Sequence, residues 1–509
     1  MANKKVQDIL YSEEANKVFQ YTSIEELLED PDKLMEMIKE HEEFQVPRLK
    51  ILNDYFLGNN WAILNRDDRK NNKSDHRATH NFARYISQFI QGYMTGVPVK
   101  VDTNEHSDHV NNGVETVSTK DGDVTLGEEE VSVPTPLLDA IIELNDKNEA
   151  DSLNSELSLD LSKYGRAYEL VYRDLEDNDR LVLLDVMKTF TIHDVGFSRQ
   201  PIGAVYYDDD PREDGDRIVI LYSKTMRYDI RISGESVTIE EEQAHFYDEV
   251  PIIEYSNNRF RQGDYETIIP LIDLYDSAQS DTANYMTDFN DAILAFSGNL
   301  DGGLDTQQIQ DLLDMGLLFL GDGVNADGSR SPLSAEYLIK QYDVNGTEAY
   351  KKRLEEDIHK FSNTPNLNDT SFGGQQTGVA MKYKLFGLEQ SRAIKEQLFK
   401  KGLAKRYRLI NTLRGYLREP NYDYIDEISF TFTANLPESE EAELQAFYLA
   451  GGKLSNETLL STLSFVDDPK EEQKRIEAEQ TLYGGSSTDL DLYSLTNSRM
   501  VNEMEEGDI

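Results

Sequence analysis

Basic residues are concentrated in one segment of this chain, although the chain as a whole is strongly acidic. Its 509 residues include 51 Lys+Arg and 96 Asp+Glu, which gives a formal net charge of −45 at pH 7. Residues 380–418 nevertheless contain eleven basic side chains and only two acidic ones. This segment predicts a very long helix, about Thr377–Arg418, weakened by Gly387 and Gly402. A solvated helix normally pairs Glu with Lys, so we expect these cations to meet carboxylates elsewhere, either in this chain or in a neighbouring one.

A neutral polar segment lies directly before this helix. Residues 363–381, NTPNLNDTSFGGQQTGVAM, contain no Lys or Arg and are rich in Asn, Thr, Gln and Gly. The chain has therefore sorted its charges by position, with one basic helix beside a neutral polar loop. Such sorting is typical of a surface that serves a polyanion or an assembly interface. A solvated helix face and a plain surface linker are the alternatives for the two segments.

Length and composition limit the fold and exclude several kinds of function. A chain of this length exceeds an ordinary single core, so roughly two to four domains are expected. The absence of Cys excludes disulfides, thiol catalysis and zinc sites built from thiolates. The acidity argues against broad nucleic-acid binding and against an anionic membrane surface. No apolar run reaches the roughly 18 residues of a membrane span, and residues 1–20 do not resemble a signal peptide, so a soluble intracellular product is expected.

Periodicity predicts an α+β chain in which helices predominate. Helices are expected near Ser23–Glu43, between Val46 and Pro98, and over Pro136–Tyr164 and Thr347–Phe361. The clearest helix is Pro270–Ile293, where apolar residues recur at three- and four-residue steps and five aspartates lie off that stripe. Short strands are predicted at Ala167–Tyr172, Leu181–Leu184, Thr189–His193, Ala204–Tyr207, Ile218–Tyr222, Met226–Ile232 and Glu427–Thr433.

Motifs for catalysis or metal binding are missing or incomplete. The Gly-rich GGQQTGVAMK lacks the Lys-Ser/Thr ending of a phosphate-binding P-loop, and HExxH and the kinase signatures are absent. His76 and His80 stand four residues apart, which indicates a structural pair rather than a zinc site. The Asp-rich turns 121–130 and 322–328 do not fit a calcium loop. No enzymatic activity, cofactor or metal is therefore predicted.

Six stretches of the chain together resemble one protein family. They are DHRATHNFARYISQFIQGYMTGVPV (75–99), LDLSKYGRAYEL (159–170), SNNRFRQGDYETIIPLIDLYDSAQSDTANYMTDFNDAIL (256–294), YDVNGTEAYKKRLEEDIHKFSNTPNL (342–367), TGVAMKYKLFGLEQ (377–390) and AGGKLSNETLLSTLSFVDDPKEE (450–472). The sequence resembles the portal (connector) proteins of long-tailed double-stranded-DNA bacteriophages over roughly residues 45–480. The specific part of the likeness is the order of helix, small insert, helix, polar loop and very long helix. The segment 103–133 departs from it, being longer and richer in Ser and Thr.

The resemblance implies a portal-type fold with a wing, a stem, a clip and a crown, assembled into a cyclic ring of usually twelve subunits. Double-stranded DNA would be packaged and ejected through this ring at one capsid vertex. The implied partners are the large subunit of the terminase motor, the head-completion or adaptor protein, and the major capsid and scaffold proteins, with no membrane. The protein would belong to the virion, and to the host cytoplasm during assembly.

The resemblance also assigns the parts of the chain to regions of the ring. The implied regions are an N-terminal helical arm (1–44), a wing (45–269, with a flexible excursion at 103–133), two stem helices (270–293 and 347–362), a clip (294–346), a tunnel loop (363–376), a long wing/crown helix with a wing strand (377–435), a crown (436–483) and a polar tail (484–509).

Three sets of site residues follow. DNA that slides through a ring must not be held tightly, because every neutralised phosphate adds salt-dependent affinity. A loop without cations and an acidic stem meet that requirement, while a basic helix could join acidic subunits. The DNA-facing tunnel-loop residues would be Asn363, Thr364, Asn366, Asn368, Ser371, Gln375 and Gln376; the channel-lining stem residues Asp273, Asp276, Asp281, Asp288 and Asp291; and the inter-subunit basic residues Lys400, Lys401, Lys405, Arg406 and Arg408.

Two other functions remain open from the sequence. One is a different head–tail structural protein, such as an adaptor, although adaptors are generally far shorter than this chain. The other is a DNA-packaging enzyme, a nuclease or an ATPase. The enzyme would need a nucleotide-binding loop, which the sequence lacks, or an acidic metal-binding cluster, which cannot be picked out among 96 carboxylates.

Overall fold

The structure, a computed structural model, describes most of the first 435 residues and short parts of the remainder. The chain divides into two compact units, Met1–Asn435 and Leu436–Ile509. The predicted excursion, clip and crown lie largely outside the described residues, and the polar tail lies wholly outside them. The described residues are 2–69, 74–103, 117–119, 122–124, 136–288, 293–297, 311–312, 317–320, 334–338, 343–366, 385–423, 425–435, 447–450, 456–460, 463, 466 and 472–476.

The helices begin and end at residues suited to those positions. The side chain of Ser23 accepts a hydrogen bond from the amide of Glu26 at one helix start, and Gly58 ends another helix with φ 86°. A π-helical turn at His41–Gln45 joins two helices into one continuous rod. The α-helices are α1 Ala2–Leu10, α2 Ile24–Glu29, α3 Pro31–Glu40, α4 Val46–Leu57, α5 Trp61–Leu64, α6 Phe82–Thr95, α7 Pro136–Lys147, α8 Ala150–Tyr164, α9 Ile269–Asp288, α10 Val344–Phe361, α11 Phe386–Leu417 and α12 Asn456–Leu460.

The strands form small sheets, the largest of which has six strands in the order β1-β7-β8-β9-β10-β11. Other sheets have the orders β12-β5-β6, β14-β13-β15, β16-β2 and β3-β4. The strands are β1 Phe19–Tyr21, β2 Lys100–Thr103, β3 Val117–Thr119, β4 Gly122–Val124, β5 Arg166–Arg173, β6 Asp179–Leu184, β7 Thr189–Asp194, β8 Pro201–Asp209, β9 Asp216–Tyr222, β10 Met226–Ser233, β11 Ser236–Ala244, β12 Ile252–Ser256, β13 Ile293–Ser297, β14 Leu317–Leu320, β15 Ser334–Leu338 and β16 Ile428–Thr431.

The N-terminal segment is built into the six-stranded sheet. Strand β1 pairs in parallel with β7, with Phe19 opposite Ile192. Helices α2 and α3 place Leu27, Leu34 and Ile38 in one hydrophobic core with the inner face of that sheet. Burial of these side chains stabilises the sheet by about 1.5–3 kcal/mol for each. Residues 1–44, predicted as an N-terminal helical arm, contain helices α1 to α3 but also strand β1, and their apolar residues help to form the core of the sheet.

A second core joins the three-stranded sheet β12-β5-β6 to helices α8 and α11. Phe399, Leu403 and Tyr407 of α11 are buried there with Tyr255 of β12. A Cβ atom at Gly402 would lie 2.1 Å from the Tyr255 ring. Gly402 has a low helix propensity, but no larger residue fits at this position, where α11 passes close to the sheet.

The predicted elements agree with the structure where periodicity is strong. All six strands predicted between residues 167 and 232 are confirmed with small shifts at their ends, and the predicted strand Glu427–Thr433 is observed as β16, paired with β2. Strands β1 to β4 and β11 to β15 were not predicted, and the predicted helix Pro136–Tyr164 is split into α7 and α8. Within the described part of the chain, none of the helices is both long enough and apolar enough to cross a membrane.

Candidate functional site

Helices α9 and α10 pack against each other and flank, in sequence, the small sheet β14-β13-β15. The side chain of Lys351 in α10 is buried, and its Nζ donates a hydrogen bond to Gln279 Oε1 of α9 at 3.0 Å. Lys351 also forms an ion pair with Glu348 one turn earlier. This helix pair is the observed counterpart of the two stem helices implied by the resemblance, and their place in a channel stays a prediction.

An extended segment, residues 74–81, runs antiparallel along α9, and we refer to it as the strap. Its alternate amides donate hydrogen bonds to side chains of α9: His76 to Asn284 Oδ1 at 2.6 Å, Ala78 to Ser280 Oγ at 2.9 Å, and His80 to Asp276 Oδ1 at 3.0 Å. Two residues of extended chain advance about 6.6 Å, and four residues of helix about 6 Å. The two spacings nearly match, so the strap fixes α9 at three successive turns.

The face of α9 that meets the strap is polar and buried. Asp273, Asp276, Ser280 and Asn284 follow one another at helical spacing, and each is at most 2% exposed. Two large apolar side chains away from this face are exposed in the subunit, Met286 at 54% and Leu274 at 45%. This helix therefore buries a polar face within its own subunit and exposes two large apolar side chains, the reverse of what an ordinary surface helix shows.

Two aspartates of this buried face are held by neutral donors. The Tyr55 hydroxyl donates to Asp273 at 2.7 Å, and Asn60 Nδ2 donates to Asp276 at 2.7 Å. His80 Nδ1 lies 2.8 Å from Asp276 as well. Burial raises the pKa of Asp273 to about 6 although hydrogen bonds from Tyr55 and Asn60 oppose the shift, and it also raises the pKa of Asp276.

The burial of these carboxylates corrects the prediction that all five stem aspartates line a channel. Asp273 and Asp276 face the interior of their own subunit and are not available to DNA. The side chain of Asp281 is 70% exposed, so it remains a candidate. Asp288 is the last residue of α9, and Asp291 lies outside the described residues.

The beginning of the predicted tunnel loop is anchored within the subunit. Thr364 is 4% exposed and shares a hydrogen bond with Ser362 at 2.7 Å, so the prediction that it faces DNA is wrong. Asn366 Nδ2 donates to Glu355 of α10 at 2.9 Å. Asn363 is exposed, with φ 56° and a hydrogen bond to Ser391 of α11 at 3.3 Å. The other candidates, Asn368, Ser371, Gln375 and Gln376, lie outside the described residues.

Arg406, in the middle of the basic helix α11, is buried inside the subunit. Arg406 is fully buried, with Nε 2.8 Å from Glu169 Oε1 of β5 and Nη2 donating to Asn154 Oδ1 at 2.8 Å. The Tyr255 hydroxyl donates to the same Glu169 at 2.7 Å. The prediction that Arg406 binds a neighbouring subunit is therefore wrong, because its charge is compensated by a carboxylate of its own chain.

Several other cations of this helix also pair with carboxylates distant in the sequence. Carboxylates of the same chain therefore neutralise several cations of the basic helix. This confirms the expectation that these cations meet carboxylates elsewhere in the chain. The pairs are Lys395 with Asp264 at 2.5 Å, Arg408 with Glu249 at 2.6 Å and with Asp426 at 3.5 Å, and Arg414 with Asp179 at 2.9 Å.

The remaining inter-subunit candidates stay predictions. Lys401 is exposed, and Lys400 Nζ lies 5.6 Å from the centre of the Phe432 ring. Burial lowers the pKa of Lys405 to about 8, although Glu249 opposes the shift. Of the five basic candidates, Lys401 is the most accessible to another chain.

The role of the strap in holding α9 was not predicted from the sequence. Its motif was noticed as part of the resemblance, and His76 and His80 were interpreted as a structural pair. Both histidines are structural, as expected, and each has a hydrogen-bond partner on α9: His76 Nε2 lies 2.8 Å from Thr287 Oγ1, and His80 Nδ1 lies 2.8 Å from Asp276 Oδ1. The segment DHRATH has no alternation of polar and apolar residues, so the sequence offers no periodic signal for an extended strand there.

A cleft lies where the predicted tunnel loop leaves α10 and where α11 begins. Its volume is about 170 Å³. The lining includes Tyr93 of α6, Asp264, Asn363, Arg392 and Lys395. Both cations are already paired, Lys395 with Asp264 and Arg392 with Glu389 and Glu396, so the cleft carries little free charge. Across the described ranges, no group of three or more His, Asp or Glu residues is placed to hold a metal ion.

Comparisons with known proteins agree on one family. The family described as "Phage portal protein, SPP1 Gp6-like" matches residues 36–483. The portal protein of Bacillus phage SPP1 is 26% identical over 245 residues, which are 47% of this chain and 46% of that protein. The portal protein of Clostridium phage phiCD119 is 25% identical over 258 residues, 50% of this chain and 53% of that protein. The chain thus matches about half the length of these curated relatives.

Proposed function

Because the chain belongs to the SPP1 Gp6-like family of phage portal proteins, we propose that it forms the ring at one capsid vertex through which double-stranded DNA is packaged and ejected. Family membership makes it a portal protein of a bacteriophage and a structural component of the virion. The ring, its regions and its partners are the finer parts of this proposal. The alternatives raised by the sequence, an adaptor and a packaging enzyme, gain no support from a family match to portal proteins.

The orientation of α9 is the observation that best supports assembly into a ring. A helix whose polar side is buried and whose apolar side is exposed needs a second surface to cover the apolar side. Leu274 and Met286 are the exposed apolar residues of α9, and Tyr350 of the adjoining helix α10 is 46% exposed. A neighbouring copy of the same chain would cover this surface, and head-to-tail contacts of this kind close into a ring.

The start of α11 offers a further apolar surface for the same neighbour. Phe386 is 60% exposed and Ile394 is 57% exposed, although both belong to a helix whose other face is buried in the second core. Each large apolar side chain buried between subunits contributes about 1.5–3 kcal/mol. The exposed cation Lys401 lies on the same helix and would meet the acidic surface of the next subunit.

Contact with DNA is assigned to the loop between α10 and α11. The loop leaves α10 at Asn363, an exposed residue, and contains no cation up to Gln376. Neutral polar side chains contact phosphates without releasing many counterions, so the affinity stays low and the DNA slides. The anchoring of Thr364 and Asn366 restricts the proposal to the more distal residues Ser371, Gln375 and Gln376, with Asn363 and Asn368.

The remaining regions follow the family arrangement as proposals. The α9–α10 pair would be the stem, and the small sheet between them in sequence would belong to the clip that docks the terminase motor and later the head-completion protein. The sheets of the first unit would form the wing. The second unit would include the crown.

The function of the loop is tested by adding cations to it. We expect Gln375→Lys with Gln376→Lys to raise the affinity of the ring for DNA at low salt, because each subunit then adds phosphate contacts. Packaging should slow or stop before the head is full. The measurement is the amount of DNase-protected DNA per head in an infection complemented by the variant.

The matched control adds the same kind of charge away from the loop. Gln243 is exposed on strand β11, so Gln243→Lys should leave the protected DNA unchanged. Equal packaging by the double variant and by wild type, in rings shown to assemble, would contradict the assignment of this loop to the DNA path.

A further inference from the structure

Three arginines and two glutamates are enclosed where the N-terminal segment meets the sheet β12-β5-β6. Arg48 of α4 lies 2.6 Å from Glu266, and both are about 1% exposed. Arg261 lies 2.8 Å from Glu254 of β12, and its Nη2 donates to the Tyr168 hydroxyl at 3.2 Å. Each carboxylate therefore already has one arginine, and Arg166 is the third cation in the group.

Arg166 begins strand β5 on the side of the sheet that bears Tyr168. In the register of the sheet it is opposite Ser256, while Tyr168 is opposite Glu254, so these residues share one face. The opposite face of β5 carries Glu169, the partner of Arg406. A buried arginine thus lies on each face of β5. Arg406 pairs with the carboxylate of Glu169, whereas Arg166 has no carboxylate partner.

The guanidinium of Arg166 has no acceptor among the described residues. The side chain is 0% exposed, and Nε, Nη1 and Nη2 are all enclosed without a hydrogen-bond partner in the protein. Nη1 of Arg48 and Nη1 of Arg261 are also enclosed without a partner, and Nε of Arg261 makes no hydrogen bond although it lies 2.8 Å from Glu254. Six such buried donor nitrogens exceed what native interiors leave unsatisfied, since nearly all buried polar groups have a partner.

The neighbourhood carries an excess of positive charge. Burial lowers the pKa of Arg166 to about 10, with the charges of Arg261 and Arg48 acting in the same direction, so the group stays charged at neutral pH. Burial also lowers the pKa of His41, and the charges of Arg166 and Arg261 lower it further, so this histidine is neutral. With three arginines and two glutamates, one positive charge has no counterion within the group. An uncompensated buried charge is strongly unfavourable.

We propose that Arg166, together with Arg48 and Arg261, binds a small monovalent inorganic anion of the halide class inside each subunit. One negative charge would neutralise the group, and a single acceptor could receive hydrogen bonds from several guanidinium nitrogens at once. Because every guanidinium nitrogen of Arg166 is enclosed by protein, the proposal is restricted to a small ion. The bound anion would connect α4 of the N-terminal segment to strand β5, independently of DNA.

The direct test uses bromide as the probe in the unmodified full-length protein. Crystals grown in chloride and transferred to bromide should give an anomalous scattering peak within hydrogen-bonding distance of the Arg166 guanidinium. Water density at that position, without an anomalous peak, would overturn the proposal. This measurement does not depend on any variant being able to fold.

A second test measures the dependence of stability on the anion. At equal ionic strength, the wild-type Tm should be higher in sodium chloride than in sodium gluconate by a few degrees, since gluconate is too large to enter. Arg166→Met should lose this difference. The matched control Arg217→Met, at a partly exposed arginine paired with Glu42, should keep it. The same Tm in both salts for wild type, or an unchanged difference in Arg166→Met, would contradict anion binding.

Discussion

Helices α9 and α11 both bury charged side chains that the sequence predicts to face DNA or another subunit, but the two helices compensate these charges differently. In α11 the buried Arg406 meets a carboxylate, Glu169, so charge is balanced by charge. In α9 the buried Asp273 and Asp276 meet neutral donors, mainly Tyr55 and Asn60. An ion pair keeps both partners ionised, whereas a carboxylate held by neutral donors is raised in pKa. The ion pair therefore stabilises α11 equally at every pH near neutrality, whereas the stability contributed by the buried aspartates of α9 changes with pH.

The largest expected effect is at the ion pair of α11. Arg406→Met leaves Glu169 buried without its counterion, and we expect the free energy of unfolding to fall by about 3–5 kcal/mol. The measurement is chemical denaturation of the subunit. Arg408→Met removes a partly exposed pair and should cost no more than about 1 kcal/mol. A cost for Arg406→Met as small as that of the control would mean that Glu169 is solvated or protonated.

A smaller effect is expected at the strap. Ser280→Ala removes the acceptor of the Ala78 amide, and leaving such a donor unsatisfied costs about 1–3 kcal/mol. The amide of Ala78 should also exchange its hydrogen faster, as measured by hydrogen–deuterium exchange of the strap. Ser277→Ala, on the half-buried side of the same helix, is the control and should leave the exchange unchanged. Unaltered protection of Ala78 in Ser280→Ala would show that the strap is held by other contacts.

A third effect concerns pH. The pKa of Asp273 is about 6 in the folded chain against an ordinary value of 3.8, so the folded state binds its proton more tightly than the unfolded state does. Stability from this group is therefore greatest below about pH 4 and falls as pH rises through about 6, by on the order of 3 kcal/mol for a shift of about two pKa units. Asp273→Asn should lose that part of the pH dependence. Asp281→Asn, at an exposed site, should retain it, and identical profiles for wild type and Asp273→Asn would refute the assignment.

The sequence predicts local structure well and the direction of helix faces poorly. The strands between residues 167 and 232 were recognised because alternation within one segment determines them. The apolar stripe of α9 was also recognised, but its orientation was not, because the strap that covers the polar side lies about 200 residues earlier. Strand β1 was missed because three residues carry too little periodicity, and its pairing with β7 depends on residues far along the chain.

The sites follow the same rule. The concentration of cations in α11 was visible in the sequence, and so was the shortage of acids beside them. The carboxylates that pair with these cations could not be identified from the sequence. Glu169 and Asp264 become neighbours of α11 only when the chain has folded. The burial of Thr364 could not be predicted from composition either. In a polar segment, the sequence does not distinguish a Thr that points to solvent from one that bonds to the end of the preceding helix.

The central claim is that a neighbouring subunit covers the apolar side of α9, and thiol labelling tests it most directly. The chain contains no Cys, so Met286→Cys creates a single reactive thiol at a site that is 54% exposed in the subunit. Ser236→Cys on strand β11 is the exposed control. We predict that maleimide labels Met286→Cys at least about tenfold more slowly in assembled rings than in dissociated subunits, because burial removes access to the thiol, while Ser236→Cys reacts equally in both. Equal labelling rates of Met286→Cys in rings and in subunits would contradict the account.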